Sequence, residues 1–509
     1  MKTALGDPQT LRVVTPLARD LALDVALRLE AQKKHVEQME RYVQGTMSSL
    51  QQKSRLEQED PQENANHSNI NFTTSNRRKG NGKNGKVITT ANFSEASWWN
   101  NPPGVPSKKT IQVDSRRQLQ QQQQQQQQRH GILEKASKNL HNLKVLHEST
   151  RDVANALYLH LDQKVTAKNQ EFLDKKETKW IKAALRQVRD RHALTVENLA
   201  EFVITTRPYW DTPTALDPVV MDFLRGRFGV QLLCEHYLAP YYSSSSSSSG
   251  SNSSSSSGED GGTTTTETME GHGIVCVDCP LSVVLEDAIA EASILCESNY
   301  SHLVTAAPEV VVVNQTVGRK DHFTIVRPWV HYVLVELLKN AMAISMERME
   351  QQNNSDGLLP PAIYISIDDH HEEGDELKSY LSIDVLDQGG GFSNPELAQS
   401  TDILFDFVRT KTTMWDRLDD QQTYAMPSSP MQGLGVGLCL SRLAMEHFGG
   451  TVDLKQHPPL SLCQQQAFAD YNLDAGCVAS IRLLKDLDHP EQLFGYENHV
   501  VKEFTCDSQ

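Results

Sequence analysis

The 509-residue chain lacks long apolar runs, and none approaches the ~18 apolar residues that a membrane-spanning helix needs. Its first residues also lack the apolar core of a secretory signal. Basic residues are in deficit, since 49 Lys and Arg face 65 Asp and Glu and give a formal net charge of −16. An acidic balance of this size argues against a general nucleic-acid surface. The absences therefore predict a chain with no membrane span and no nucleic-acid partner.

Cysteine pairs at zinc-binding spacing are also scarce. The eight cysteines are scattered, and Cys276 and Cys279 form a single C-x-x-C without a second pair. A lone pair in an apolar run is more typical of a structural role than of a metal or redox site, and both interpretations stay open. The scatter suits a reducing compartment.

Two low-complexity tracts lower the hydrophobic content to 38%. Residues from about 49 to 130 are rich in Asn, Gln, Ser, Lys and Gly and end in a glutamine run. Such a composition cannot bury enough apolar area to offset chain entropy, so we predict a disordered insertion there. Residues 241–272 contain serine runs and predict a flexible insert.

The remaining chain divides by its periodicity. Residues 1–240, apart from the insertion, carry apolar residues at helical spacing, as at Leu17, Leu21, Val25 and Leu29, and predict a helical bundle. Residues 273–488 alternate strand-like and helix-like segments, which predicts a two-layer α/β sandwich. Residues 489–509 form a tail. The predicted fold class is therefore α+β.

The first chemical motif is E-L-L-K-N, on a predicted helix. Glu336 and Asn340 are four residues apart and share a face beside the apolar stripe. One interpretation is a polar helix edge in water. The other is a ligand-facing pair, because carboxylate and amide oxygens suit Mg²⁺ when phosphates complete its octahedron.

The second motif is D-Q-G-G-G, directly after a predicted strand. Asp387 can accept a hydrogen bond from an exocyclic amine such as that of adenine, and Gly389 and Gly391 let the backbone approach a ligand. Taken alone, the same pattern is also ordinary turn chemistry.

The third motif consists of Gly433, Leu434, Gly435, Val436 and Gly437, directly before a predicted helix. Glycines at a helix N-terminus offer N–H groups to phosphate. The three motifs in this order predict an ATP site, and the irregular stretch 394–432 fits a lid over it. The chain has no P-loop motif and lacks H-R-D and D-F-G, which excludes the P-loop and the standard protein-kinase patterns.

These motifs resemble the mitochondrial 2-oxo acid dehydrogenase kinases, which comprise the pyruvate and branched-chain types within the GHKL superfamily. The resemblance rests on H-Y-V-L-V-E-L-L-K-N-A-M, D-Q-G-G-G-F and S-P-M-Q-G-L-G-V-G-L-C-L-S-R at residues 331–342, 387–392 and 429–442. Two shorter strings, Q-V-R-D-R-H and G-V-Q-L-L-C-E-H-Y, extend it into the first half. It covers about residues 11–48, 138–240 and 273–488, and it implies a GHKL-type (Bergerat) nucleotide-binding domain.

The resemblance implies a protein-serine/threonine kinase that uses ATP and Mg²⁺. Glu336 would be the general base and Asn340 the Mg²⁺ ligand. Asp387 would bind the adenine amine, Gly391 would lie against the nucleotide, and residues 433–437 would form the phosphate lid. Phosphoryl transfer depends mainly on positioning, charge neutralisation and a nearby base, so these roles make chemical sense.

Three positions depart from the family pattern. Gln388 and Ala343 stand where the family carries arginine, and Cys477 replaces a threonine that is expected to contact phosphate. We expect these replacements to affect the rate of phosphoryl transfer rather than nucleotide binding. Tyr332, and a tail without the Asp-Trp pair of the pyruvate group, favour the branched-chain type.

Three alternatives remain open. The chain could be a catalytically weak, ATP-binding regulatory relative. It could be a histidine kinase with His192 as the acceptor, although no acceptor box surrounds that residue and a buried or helix-capping histidine is the commoner case. It could also be an ATP-gated clamp, although about twenty residues follow Asp488 where clamps carry a large domain.

The partners and the compartment are implied by the resemblance alone. They are the dehydrogenase component, the lipoyl-bearing acyltransferase core and a second copy of the chain, in the mitochondrial matrix. The chain opens almost inside the first family helix, so the location of a transit peptide is not visible.

Overall fold

The computed structural model describes residues 15–59, 108–168, 172–212, 214–239, 270–301, 306–314, 322–351, 360–370, 380–392, 401–408, 435–457 and 474–484. Helices occupy the first half of the chain, and strands with helices occupy the second half. This arrangement confirms the predicted α+β class. The chain forms two compact units, one made of residues 40–138 and the other of residues 1–39 and 139–509.

The described residues of the first half contain five α-helices: α1 (Thr15–Glu59), α2 (Lys108–Lys168), α3 (Lys175–Arg191), α4 (Thr195–Thr206) and α5 (Asp217–Leu238). A capping box starts α3, because the Asp174 side chain accepts from the Glu177 N–H and the Glu177 side chain accepts from the Asp174 N–H. Pro218 lies in the first turn of α5, where a missing N–H costs nothing. A 3₁₀ turn, Arg207–Tyr209, begins the connection between α4 and α5.

Helices α1 and α2 reach further into the predicted disordered insertion than expected. The first ends at Glu59 and the second begins at Lys108, so residues 49–59 and 108–130 are helical. Glutamine is a good helix former, and each residue added to an existing helix gains one hydrogen bond. The glutamine run therefore continues a helix rather than disrupting one. The middle of the tract lies outside the described residues.

In the unit of residues 40–138, the two helical stretches form a small interior of their own. Val43, Leu133 and Ala136 are buried there. Gln51 Nε2 lies 2.9 Å from His130 Nε2. The buried residues of this unit thus flank the low-complexity tract, and the described part of the glutamine run is mostly exposed helix.

The other unit has a continuous core that joins four helices to the first strands. Its buried residues include Val25 of α1, Leu157 of α2, Ile181 of α3 and Tyr237 of α5, together with Val326 from the second half. The predicted stripe on α1 is buried at Leu21, Val25 and Leu29, and Leu17 in the first turn is exposed.

A three-stranded antiparallel sheet has the order β1-β2-β4, made of β1 (Glu270–His272), β2 (Val275–Pro280) and β4 (His322–Val326). The turn between β1 and β2 contains Gly273 at φ 68°, a conformation that favours glycine. Residues 270–272 were predicted as part of the flexible insert. They pair instead with β2, because backbone pairing in a hairpin requires no apolar side chains.

The second sheet has the order β3-β5-β6-β8-β7. Only the β3–β5 pair is parallel. Its strands are β3 (Val310–Asn314), β5 (Ile363–His370), β6 (Tyr380–Leu386), β7 (Thr451–His457) and β8 (Gly476–Leu484).

Helices α6 (Leu281–Tyr300), α7 (Arg327–Gln351) and α8 (Gly437–His447) form a layer in which α7 contacts both other helices. Helix α7 touches β6, and α8 touches β7 and β8. The apolar stripe predicted on α7 is buried at Leu334, Leu337, Leu338 and Ala341. This packing places one polar edge of α7 beside the start of α8.

Across the described part of the chain, each helix falls short of the length or the apolarity that crossing a bilayer demands.

Candidate functional site

Glu336 lies on α7 with 16% of its side chain exposed. The ammonium group of Lys339, one turn further on, donates a 2.6 Å hydrogen bond to Glu336 Oε1. A charge-assisted bond of this length fixes the orientation of the carboxylate. It leaves Oε2 directed elsewhere.

Glu336 Oε2 lies against Gly437, the first residue of α8. A Cβ added to Gly437 would collide with that oxygen. Glycine therefore lets the two helices approach closely, because a side chain here would displace the end of the Glu336 side chain or the helix start. The structure thus brings together two residues that are about a hundred positions apart in the sequence.

Tyr332 and Asn340 lie one turn before and one turn after Glu336. Burial and the negative charge of Glu336 raise the pKa of the Tyr332 phenol, which therefore stays protonated. Asn340 is exposed. Along the polar face predicted for α7, exposure therefore increases from the mostly buried Glu336 carboxylate to the exposed Asn340 amide, which a ligand can reach.

Asp387 follows β6 and is 8% exposed. Its Oδ1 accepts hydrogen bonds from Gly389 N at 2.8 Å and Cys477 N at 3.3 Å. Burial raises the pKa of Asp387, and these two N–H donors counteract part of the rise. Oδ2 accepts no hydrogen bond from the described residues, so it is the oxygen that suits an amine donor.

The glycines after Asp387 have backbone conformations that side chains rarely adopt. Gly390 and Gly391 have φ of 92° and 80°. A Cβ on Gly389 would strike Ile344 of α7, and a Cβ on Gly391 would meet Gln456 of β7. The D-Q-G-G-G turn therefore lies between α7 and β7, where glycine is required.

The third motif is only partly described. Gly433 and Leu434 lie outside the described residues. Gly435 has φ of 75°, and its carbonyl oxygen accepts from Val408 N at 3.2 Å. Val436 is the N-cap of α8. The described half of the motif therefore leads straight to the contact between Gly437 and Glu336.

Gln388, one of the three departures, links the strand ends. Its Nε2 donates to Ala362 O at 2.9 Å, and its Oε1 accepts from Asp474 N at 3.2 Å. Its own carbonyl oxygen accepts from Arg348. The side chain thus joins the approach to β5 with the approach to β8, which holds Asp387 between them.

Cys477 lies beside Asp387 in β8, at the predicted adenine end. Burial raises the pKa of its thiol to about 12. Its N–H donates to Asp387 Oδ1 at 3.3 Å, and the phosphate contact expected at this position stays a prediction. Ala343 is half-buried on α7.

His192, the alternative phosphoacceptor, is enclosed. It is the C-cap of α3 and 5% exposed. Its Nε2 lies 2.9 Å from Thr150 Oγ1, and its Nδ1 lies 3.3 Å from Thr195 Oγ1. With both ring nitrogens engaged inside the protein, the geometry favours a structural histidine over an acceptor.

Cys276 and Cys279 are both buried in β2. The Cys279 thiol donates a hydrogen bond to the Cys276 sulfur, and this bond and burial raise the pKa of Cys279, which disfavours the thiolate that metal binding and redox chemistry need. The described residues contain no group of three or more His, Cys, Asp or Glu side chains placed to hold a metal ion.

Lys339, His457 and the bridging contacts of Gln388 were not predicted from the sequence. Lys339 was visible inside E-L-L-K-N at a three-residue spacing from Glu336, which is the signal of a helical ion pair. His457 donates from Nε2 to the main-chain oxygen of Asp387 at 2.9 Å. Neither His457 nor Gln388 carried a local signal, because both act across the sheet.

Comparisons with known proteins agree with the motif evidence. Pyruvate dehydrogenase (acetyl-transferring) kinase isozyme 4, mitochondrial, of Ictidomys tridecemlineatus is 28% identical over 177 residues, which are 35% of this chain and 37% of that protein. The same isozyme of Rattus norvegicus is 29% identical over 183 residues, 36% of this chain and 39% of that protein. The pyruvate dehydrogenase (acetyl-transferring) kinase, mitochondrial, of Drosophila melanogaster is 30% identical over 190 residues, 36% of this chain and 40% of that protein.

These similarities confirm the resemblance to the mitochondrial 2-oxo acid dehydrogenase kinases. The match covers about two fifths of the length of these curated relatives. No protein-family profile matches the chain.

Proposed function

We propose that this chain is a protein-serine kinase that transfers the γ-phosphate of ATP to a serine of a mitochondrial 2-oxo acid dehydrogenase complex and thereby inhibits it. The observation that carries the proposal is the contact of Gly437 with the Glu336 carboxylate. It puts a glycine-rich helix start, which suits phosphate, beside the carboxylate that is suited to accept a proton. The similarity to named kinases supports the same assignment.

The described residues fit a nucleotide. Asp387 Oδ2 would accept from the adenine amine, and Gly389 and Gly391 would lie against the base. Gly433, Leu434, Gly435, Val436 and Gly437 would surround the phosphates with backbone N–H groups.

Asn340 is exposed on the same face as Glu336 and would hold Mg²⁺ through its amide oxygen. Bound there, the ion would neutralise phosphate charge, which is its usual contribution to phosphoryl transfer.

Glu336 would act as the general base. Lys339 occupies Oε1, so Oε2 is the oxygen that would take the proton as the serine hydroxyl attacks the γ-phosphorus. The protonated Tyr332 phenol beside it cannot compete for that proton. The protein would therefore position the hydroxyl and remove its proton, without a covalent intermediate.

The proposal also concerns which 2-oxo acid dehydrogenase is the substrate. Tyr332 favours the branched-chain type, whereas the relatives named above act by name on pyruvate dehydrogenase. We propose a 2-oxo acid dehydrogenase as the substrate class, with the lipoyl-bearing acyltransferase core and a second copy of the chain as partners in the mitochondrial matrix.

A Glu336→Gln variant tests the base assignment. Proton removal contributes roughly 10²–10⁴-fold to such transfers, so phosphorylation of the dehydrogenase should fall by about that factor. The affinity for Mg-ATP should stay within about twofold, since the amide keeps the shape of the side chain. Steady-state transfer and equilibrium ATP binding measure the two quantities.

Glu350→Gln is the matched control, because Glu350 is exposed near the end of the same helix. It should leave transfer unchanged. Full transfer by Glu336→Gln would rule out Glu336 as the base.

A catalytically weak regulatory relative is the second candidate. It is favoured by Gln388 and Cys477, two departures that meet at Asp387. Tight ATP binding without transfer to either dehydrogenase complex would support that candidate over the first.

A further inference from the structure

Residues 401–408 lie between the helical half of the chain and the glycine segment of the site. They contain a 3₁₀ turn, Thr401–Phe405. Arg442 of α8 holds this turn from one side: it donates to Asp402 Oδ1 at 3.0 Å, and its guanidinium carbon lies 3.5 Å from the centre of the Phe405 ring. Arg442 also donates to Val452 O in β7 at 3.3 Å. The 401–408 segment is thereby tied to α8 and β7.

A second arginine holds the same segment from the helical half. Arg207, directly after α4, donates to Phe407 O at 3.0 Å. The same nitrogen donates to Asp217 Oδ1 at 2.7 Å. The Arg207 and Asp217 side chains are only 11% and 17% exposed, so the pair is shielded from screening by water and salt.

The backbone that Arg207 holds is conformationally unusual. Val408 has φ of 62°, which β-branched residues rarely adopt. Such a residue persists only where surrounding contacts fix it. Phe407 and Val408 are both buried, and the Val408 N–H donates to Gly435 O at 3.2 Å. Gly435 is two residues before Gly437, which touches Glu336.

We propose that Arg207 is a positioning residue for the nucleotide site: oriented by Asp217, it fixes the Phe407–Val408 backbone, which in turn fixes Gly435 and the start of α8 beside Glu336. The proposal rests on the proposed function, because Gly435 and Gly437 are taken there to bind phosphate. It makes nucleotide affinity depend on a residue of the helical half. A change in the α4–α5 connection would thus alter the affinity of the site for ATP, although this connection does not contact the nucleotide.

Removing Arg207 tests this dependence in the full-length protein. Arg207→Ala should raise the dissociation constant for Mg-ATP by about tenfold, which corresponds to one lost charge-assisted hydrogen bond. Arg207→Lys should recover part of the loss, since an ammonium can still pair with Asp217 and donate to Phe407 O. Hydrogen exchange of the peptide containing residues 401–408 should accelerate in Arg207→Ala and less in Arg207→Lys.

Arg151→Ala is the matched control. Arg151 makes a partly buried pair with Glu30 at 2.5 Å, and among the described residues both of its carboxylate partners, Glu30 and Asp152, lie in the helical half. A purely structural role for Arg207 predicts that Arg207→Ala and Arg151→Ala lower the melting temperature alike and leave Mg-ATP affinity equal. That result would overturn the inference.

The wild-type protein separates the two proposals. If it binds Mg-ATP and Arg207→Ala binds equally well, the inference fails and the proposed function stands. If the wild type does not bind Mg-ATP, the proposed function fails and the inference fails with it. Weakened binding by Arg207→Ala with partial recovery in Arg207→Lys supports both.

Discussion

At the scale of single residues, the helical half encloses two histidines in one buried network. His147 Nδ1 donates to Leu143 O at 2.7 Å, and the His147 and His192 rings meet edge to face with centroids 4.5 Å apart. Burial lowers the pKa of His147 to about 4. Burial and the neighbouring His147, Arg227 and Arg191 lower the pKa of His192 to about 3.

These pKa values predict an acid-sensitive fold. Both histidines are neutral in the folded protein, while in the unfolded chain they take up protons below about pH 6.5. Their contribution to stability is therefore complete above that pH and is lost as the pH falls towards the folded-state values. Between about pH 6.5 and pH 5.5 the free energy of unfolding should fall by about 2 kcal/mol.

Urea denaturation at a series of pH values measures this loss. A His147→Gln variant should lose about half of the pH dependence, because one of the two protonation sites is gone. An unchanged slope in that variant would show that other groups cause the acid sensitivity.

The elements that carry the candidate residues could largely be predicted at this scale. Glu336, Asn340 and Asp387 lie where their motifs placed them, because each is fixed by the helix or strand that carries it. Lys339 was readable from helical spacing, whereas Gln388 and His457 were not. Their partners, Ala362 and Asp387, come from other strands, and a single sequence does not show which strands will be neighbours.

At the scale of elements, α7 and α8 meet closely where Gly437 lies against Glu336. A Cβ on Gly437 would overlap Glu336 Oε2, so Gly437→Ala must move either the carboxylate or the start of α8. Transfer should fall by roughly tenfold or more, because misplacing a catalytic group by about 1 Å costs up to ~10²-fold. Kinetic assays with the dehydrogenase complex measure the loss.

Gly131→Ala is the matched control for that substitution. Gly131 lies within α2 and has nothing within 4 Å of an added Cβ. Alanine there should leave transfer unchanged and stabilise the helix by about 0.5–1 kcal/mol. Equal activity of both alanine variants would contradict the tight contact between α7 and α8.

The ends of the strands and helices could not be predicted from the local sequence alone. Strand β5 continues to His370, three residues beyond Ile367, its last buried residue. Asp368, Asp369 and His370 carry no strand signal, but β6 offers paired backbone groups opposite them. Helix α2 shows the same effect, since it extends through a glutamine run that composition marks as disordered.

At the scale of the whole molecule, one core and the contacts of Arg207 and Arg442 with the 401–408 segment join the helical half to the α/β half. The order of the halves was predictable, because helical and mixed periodicities occupy different parts of the chain. The contact of the 401–408 segment with both halves could not be predicted, because it depends on a hydrogen bond between Arg207 and Phe407, which are 200 residues apart. The same contact makes the α4–α5 connection a place from which the site could be regulated.

The most direct test of the central claim is transfer of the γ-phosphate from Mg-ATP to purified pyruvate and branched-chain dehydrogenase complexes in parallel, with ATP binding measured on the same preparation. The account predicts that the protein binds Mg-ATP and labels a serine of one complex strongly, which would also decide the substrate. Binding of Mg-ATP with neither complex labelled would contradict the kinase assignment and would identify Gln388, Ala343 and Cys477 as marks of a lost activity.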